Sequence, residues 1–360
     1  MTVSDFDDYR PPEPPRRRKR GGKRRRAGTG EGRAEAPVVP EAEFTSYYGR
    51  PVVKPPPWGD PIALYLFLGG VAGGSALLGA GGQITGRPIL CRNSRLAALA
   101  AIGVGGAALV ADLGRPERFL NMLRTIKPTS PMSLGSWILT AFSAGAGVSA
   151  VSEIDRMTGS RLPLGPLRRL LRGLEGPAGM EAAVFAAPLS AYTAVLLSDT
   201  ANPTWNAARE DLPFVFVSSA SLAAAGLAMI TTPVKEAGPA RALAVLGVTG
   251  ELIATRSMEK NMDPVAAEPL HSGGPGRMLA WSERLAVAGG VGTLVGGRYR
   301  PTAAMSGLLL LGASALTRFG ILRAGIRSTE NPRYTIEPQK KRLAARREAG
   351  VIHDSITTTE

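Results

Sequence analysis

The sequence predicts an all-α polytopic membrane protein of about eight transmembrane helices behind a disordered, basic N-terminal tail. Three observations carry that expectation. Charge is concentrated at the ends of the chain: 20% of the 360 residues are charged, and they crowd into the first 60 and the last 35. Between them, residues 61–327 form a succession of Gly/Ala/Leu-rich stretches of 17–23 residues, the length that crosses a hydrocarbon core of about 30 Å. Glycine falls in small-residue runs such as LGGVAGGSALLGAGG (68–82) and IGVGGAALVA (102–111), as suits helices that approach closely in lipid.

Residues 1–57 form the tail. PPEPP is followed by RRRKRGGKRRR, nine basic residues in the eleven from Arg16 to Arg26, and Pro, Gly and like charge at this density cannot bury a core. No apolar stretch follows the basic run for more than thirty residues, so no export signal is expected. The run suits anionic lipid headgroups, not nucleic acid. The membrane domain spans 58–327, with helices expected at 61–83, 94–112, 132–152, 180–199, 212–234, 239–256, 278–297 and 302–320. Breakers set these limits: Gly86 and Pro88 after the first, Pro116 after the second, Pro128 and Pro131 before the third. Gly176 and Pro177 precede the fourth, and Pro203 and Pro213 flank its connection to the fifth. Residues 328–360, with KKRLAARR at 340–347, are a polar C-terminal tail. An even number of crossings puts both termini on one side, and the basic tails place that side in the cytoplasm of a cell membrane. Five arginines in the third-to-fourth connection (Arg156, Arg161, Arg168, Arg169 and Arg172) pull the other way.

The segment DLGRPERFLNMLRTIKPTSPMSLGSW (112–137) is charged and Pro-punctuated, between two long apolar stretches. Asp112, Arg115 and Arg118 therefore sit where a helix leaves the bilayer, a costly place for ionisable groups unless they pair, line a cavity or bind something. If helices alternate in direction, Asp60 and Tyr65, Asp112 and Arg115, Ser133, Ser136 and Trp137, and Tyr192, Asp199, Asn202 and Trp205 emerge on one membrane face. That face supplies donors, acceptors and aromatic rings together. Binding a quinone head group calls for this set: hydrogen bonds to two carbonyl oxygens, a flat apolar wall, and an acid or phenol at the bilayer edge to relay protons. The expected quinone-binding residues are Tyr192, Asp112, Arg115, Trp137, Tyr65 and Ser133, and the expected proton-relay residues Asp199, Glu153, Glu181 and Glu251. Duller roles fit the same residues: Asp112 with Arg115 as a helix-end ion pair, and Trp58, Trp137 and Trp205 as interfacial belt residues.

The chain has one cysteine, Cys91, too few for an iron–sulfur cluster, which takes about four thiolates. Its two histidines, His271 and His353, lie outside the predicted spans, so no haem is expected between membrane histidines. The glycine runs neither follow a strand nor end in Lys-Ser/Thr, so they are packing faces and not phosphate loops.

At WGDPIALYLFLGGVAGG (58–74), DLGRPERFLNMLR (112–124), SPMSLGSWIL (130–139) and AYTAVLLSDTANPTW (191–205) the chain resembles the NrfD/PsrC family, in the family's order and spacing. The resemblance implies eight helices in two four-helix bundles, and a site in the N-terminal bundle for exchangeable menaquinone or ubiquinone, without haem. It also implies a docked ferredoxin-like iron–sulfur subunit and a molybdopterin-type catalytic subunit beyond. The family's site can include a histidine early in the first helix; this chain has none there, which moves the expectation to Tyr192, Asp112 and Arg115. The resulting expectation is a membrane-anchor, quinone-binding subunit of a multi-subunit oxidoreductase. The alternatives are a transporter or channel lined by Asp112, Arg115 and Glu251, or a non-catalytic scaffold. No second DLGRP-like copy occurs in 212–320, as a repeated transporter architecture would supply.

Overall fold

Proline opens most of the helices, at the first turn, where its missing N–H has no partner to lose and its fixed φ suits the helix. The structure, a computed structural model, describes residues 51–113 and 115–350. The basic run, His353 and the Arg118 side chain lie outside the described residues. Among those described there are eleven α-helices, one 3-10 helix and no strand. In chain order they are α1 (Asp60–Ile84), α2 (Pro88–Asp112), the 3-10 helix (Pro116–Arg124), α3 (Pro131–Met157), α4 (Leu167–Ser198), α5 (Pro203–Ala207) and α6 (Leu212–Thr231). Then follow α7 (Gly238–Asn261), α8 (Pro264–His271), α9 (Gly273–Gly296), α10 (Arg300–Glu330) and α11 (Arg333–Glu348).

The eight expected helices are α1, α2, α3, α4, α6, α7, α9 and α10. Six of them are long and apolar enough to cross a membrane. The other two, α7 and α9, are 24 residues each but carry Arg241, Glu251 and Arg256, and Arg277, Glu283 and Arg284, respectively. Boundaries differ where a breaker is absorbed. Helix α4 starts at Leu167 and runs through Pro177 and Pro188; the carbonyl that Pro177 leaves without a donor belongs to Gly173, which is exposed to solvent. Helix α2 starts at Pro88 and not at 94, because the polar Arg95 that argues against a membrane span is buried against partners.

Helices α1–α4 pack as one four-helix bundle and α6, α7, α9 and α10 as a second, with α1 and α4 meeting α6 and α10 along the seam. Within the second bundle α6 crosses α10 backbone to backbone. A Cβ on Gly307 would stand 2.4 Å from the Gly226 carbonyl oxygen, and one on Gly226 2.5 Å from that of Gly307, so only glycine permits the crossing. Buried apolar side chains form one cluster in each bundle and a third, around Trp205, where α5 and α8 close the end that bears the termini. Trp205 is 1% exposed and donates from Nε1 to the Ile321 carbonyl at 2.9 Å, so it is a core plug and not a belt residue. Helix α11 lies over this end, tied to α8 by Lys341–Asp263 (3.1 Å) and Tyr334 Oη to Glu268 (3.2 Å).

The opposite end of the first bundle carries an ion network. Arg95 and Glu153 pair at 2.8 Å, both buried; Arg156 joins Glu153 (3.3 Å) and Glu175. Asp155 holds Arg168 (2.9 Å) and Arg172 (3.3 Å). Three of the five arginines in the third-to-fourth connection are thereby committed to carboxylates.

Candidate functional site

At the termini-bearing end of the first bundle, α1–α4 enclose a cavity of about 490 Å³. Its walls are mostly apolar: Ile62 and Leu66 from α1, Leu109 from α2, Leu139 from α3, Leu196 and Leu197 from α4. The 3-10 helix closes it. That element has polar residues on one side and Phe119, Met122 and Leu123 on the other, and these three face the cavity. The charged segment at 112–124 therefore forms an amphipathic cover over an apolar chamber.

Polar groups enter this chamber at few points. Tyr65 is 3% exposed, and its hydroxyl is hydrogen-bonded to that of Tyr192 across the α1–α4 interface. A buried phenol without a partner costs about 1–3 kcal/mol, so each tyrosine removes the other's penalty. The Tyr192 ring fits there because α3 presents Gly135: a Cβ at that position would lie 2.3 Å from Tyr192 Cε2. Asp112 ends α2 at the chamber's mouth, with its carboxylate beside Gly59, just ahead of α1: Oδ1 lies 4.0 Å from the Cβ position of that glycine. Ser136 and Thr140 line the chamber from α3, but each donates to a carbonyl one turn back, Met132 at 2.9 Å and Ser136 at 2.8 Å. Trp58 supplies a flat wall and stacks on Trp205, ring centroids 5.6 Å apart at 25°.

The other expected residues take different places. Arg115 is exposed at the head of the 3-10 helix and makes no ion pair with Asp112. Ser133 and Trp137 both reach the Thr125 carbonyl, at 3.0 and 3.3 Å, and Ser133 also accepts from Lys127 N–H at 3.0 Å. They fasten the exit of the cover to α3. Asp199 caps the end of α4 and is exposed. Glu153 belongs to the ion network at the far end, Glu181 lies on α4 against Gly145 of α3, and Glu251 is buried in the second bundle.

Two groups carry signals that the sequence reading passed over. Gly135 sits inside SPMSLGSW, a small residue amid the polar segment. Arg318 is an arginine inside the apolar stretch of α10, a pattern that marks a functional or paired site by default, and it is fully buried. Among the described residues no group of three or more His, Cys, Asp or Glu side chains is placed to hold a metal ion.

A protein-family model described as "Polysulphide reductase, NrfD" matches residues 52–246. That range takes in every residue that lines the cavity, and ends within α7. No curated protein matches the chain.

Proposed function

The chain belongs to the NrfD family of polysulphide reductases, and from that premise we propose that its first bundle holds the head group of menaquinone or ubiquinone. The family's members are membrane subunits of oxidoreductase complexes that interact with quinones. The observation that carries the reading is the chamber: apolar walls, a tryptophan face, a paired tyrosine hydroxyl and a carboxylate at its mouth. These suit a flat, apolar ring with two carbonyl oxygens. A bound quinone supplies exchange of two electrons and two protons with the membrane pool.

The chain's own residues do the rest. Two phenol hydroxyls share one hydrogen bond, so the pair keeps one O–H free to donate to a ligand carbonyl. Asp112, half-buried beside Gly59, is placed to pass protons between the chamber and the aqueous edge. The 3-10 helix excludes water with Phe119, Met122 and Leu123. One cysteine is too few for an iron–sulfur cluster and both histidines lie outside the predicted spans, so in this reading electrons enter or leave through a neighbour. That neighbour is a ferredoxin-like iron–sulfur subunit, docked on the end that bears the termini, with a molybdopterin-type catalytic subunit beyond. The basic tails put this end in the cytoplasm.

Tyr192→Phe tests the reading, since it keeps the ring on Gly135 and deletes one hydroxyl. Loss of one hydrogen bond predicts a few-fold to roughly tenfold weaker quinone affinity. Quinone-dependent activity should fall while artificial-dye activity of the soluble partners in the same membranes persists. Equal loss of both would mean that Tyr192 holds the complex together, and unchanged quinone activity would place the site elsewhere.

A further inference from the structure

Two of the eight long helices, α7 and α9, are too polar to pass as ordinary membrane spans, and their charged faces share one cavity. It measures about 290 Å³ and is lined by Arg256 and Glu259 of α7, His271 at the end of α8, and Glu283 of α9. Its inner end is Glu251, with Ser282 and Thr317 beside it. Charged side chains at membrane depth face either a protein interior or water, and a space of this volume holds about ten water molecules.

Glu251 is 5% exposed. Thr317 Oγ1 donates to its Oε1 at 2.6 Å, Ser282 pairs with Thr317 at 2.6 Å, and Oε2 has no hydrogen-bond partner. It lies ten residues before the end of α7, about 15 Å in from the face that bears the termini. Arg318 of α10 is fully buried, with its guanidinium 3.8 Å over the Phe216 ring. Arg318 donates from Nη2 to the Phe216 carbonyl, while Nε and Nη1 have no partner. Arg318 directly follows Thr317, the residue that donates to Glu251, so the two charges are neighbours across the α7–α10 contact. Helix α6 faces the pair with the neutral Val215 and Ser219, α10 with Arg318, α9 with Glu283, and α7 itself adds Arg256 and Glu259 toward the mouth.

We propose that the second bundle contains a water-filled proton inlet that opens on the membrane face bearing both termini and ends at Glu251, with Arg318 as its fixed counter-charge. A hydronium from the mouth, where His271 and Glu259 stand 3.5 Å apart, transfers its proton to the free Oε2. The carboxylate becomes a carboxylic acid and a water is left behind. Arg318 keeps its charge throughout, so each proton that enters leaves one uncompensated positive charge in the seam region, where Nη2 lies 3.2 Å from the Cβ position of Gly70 on α1. The inlet is separate from the quinone chamber in the first bundle.

The test is made on the full chain in native membranes and involves no quinone. A hydrophobic carbodiimide, which reacts with protonated carboxyls, should label Glu251 in the unmodified protein, with labelling lost as pH rises and absent in Glu251→Gln. In a Cys91→Ala background, Thr255→Cys in the cavity wall should react with a charged, membrane-impermeant thiol reagent added on the termini side only. Sodium protection of Glu251 at constant pH would overturn the proposal in favour of a cation site. Reaction of Thr255→Cys from the opposite side alone, or from neither side, would overturn it as well. Neither readout depends on the first bundle, so either idea can fail while the other stands.

Discussion

Replacing Gly135 with alanine is the smallest change that should disable the chamber. The new Cβ would fall 2.3 Å from Tyr192 Cε2 and 2.5 Å from Cδ2, whereas carbon atoms in contact prefer about 3.5–4.0 Å. The ring must therefore withdraw by roughly 1–1.5 Å, and its hydroxyl leaves that of Tyr65. Overpacking of this kind costs about 1–3 kcal/mol, and a buried Tyr65 hydroxyl left alone adds about 1–3 kcal/mol. The two terms share one ring and are not additive, so a destabilisation of about 2–4 kcal/mol is expected. Quinone-dependent activity should drop at least roughly tenfold, the equivalent of 1.4 kcal/mol, with dye activity of the soluble partners kept. The discriminating assay is a double-mutant cycle in thermal stability with Tyr192→Ala. Once the ring is gone, the three atoms nearest the new Cβ go with it, and Gly135→Ala should become neutral or stabilising by up to about 1 kcal/mol through helix propensity. A Gly135→Ala penalty of the same size in both backgrounds would refute the contact argument.

The far end of the first bundle should respond in stability and not in quinone chemistry. Removing one member of a buried ion pair costs about 3–5 kcal/mol, and Arg95→Met should approach the lower figure, since Glu153 keeps Arg156 at 3.3 Å. Melting of the purified protein reads the loss, and quinone activity per folded molecule should be unchanged. Asp263 begins α8 with its Oδ1 accepting from Val265 N–H at 2.9 Å, and pairs with Lys341 of α11. Burial works against its charge, but the Val265 N–H and Lys341 prevail and hold its carboxyl below the usual range. Its contribution is therefore fully present above about pH 4 and fades as pH falls through the lower folded value. Asp263→Ala should cost about 1 kcal/mol and Asp263→Asn less, because asparagine still caps. Protease sensitivity of α11 against pH checks both.

The helices were legible because hydropathy and length are written directly into the chain. Proline position was legible only in part: Pro116 and Pro131 do bound elements, whereas Pro177 is carried inside α4 because an exposed turn lets water take up the freed carbonyl. Alternation of helices was enough to bring Tyr65, Asp112 and Tyr192 to one end of one bundle, and the structure sets all three around one chamber. Side-chain direction was not legible. Each residue turns about 100° around a helix, so Ser133 and Trp137 share the segment but reach back to Thr125 instead of the chamber. Arg115 differs for another reason: tertiary packing brings Gly59 to the Asp112 carboxylate, while the arginine stays exposed at the head of the 3-10 helix. The Arg95–Glu153 pair escaped notice because its members are 58 residues apart.

The central claim is that the chamber under the 3-10 helix binds a quinone, and photolabelling with an azido-quinone tests it most directly. After illumination of the intact complex in membranes and peptide mapping, label should fall on the chamber-lining segments around Met122, Met132 and Tyr192, and excess unmodified quinone should suppress it. Label confined to α6–α11, or label in the first bundle that unmodified quinone fails to displace, would contradict the account.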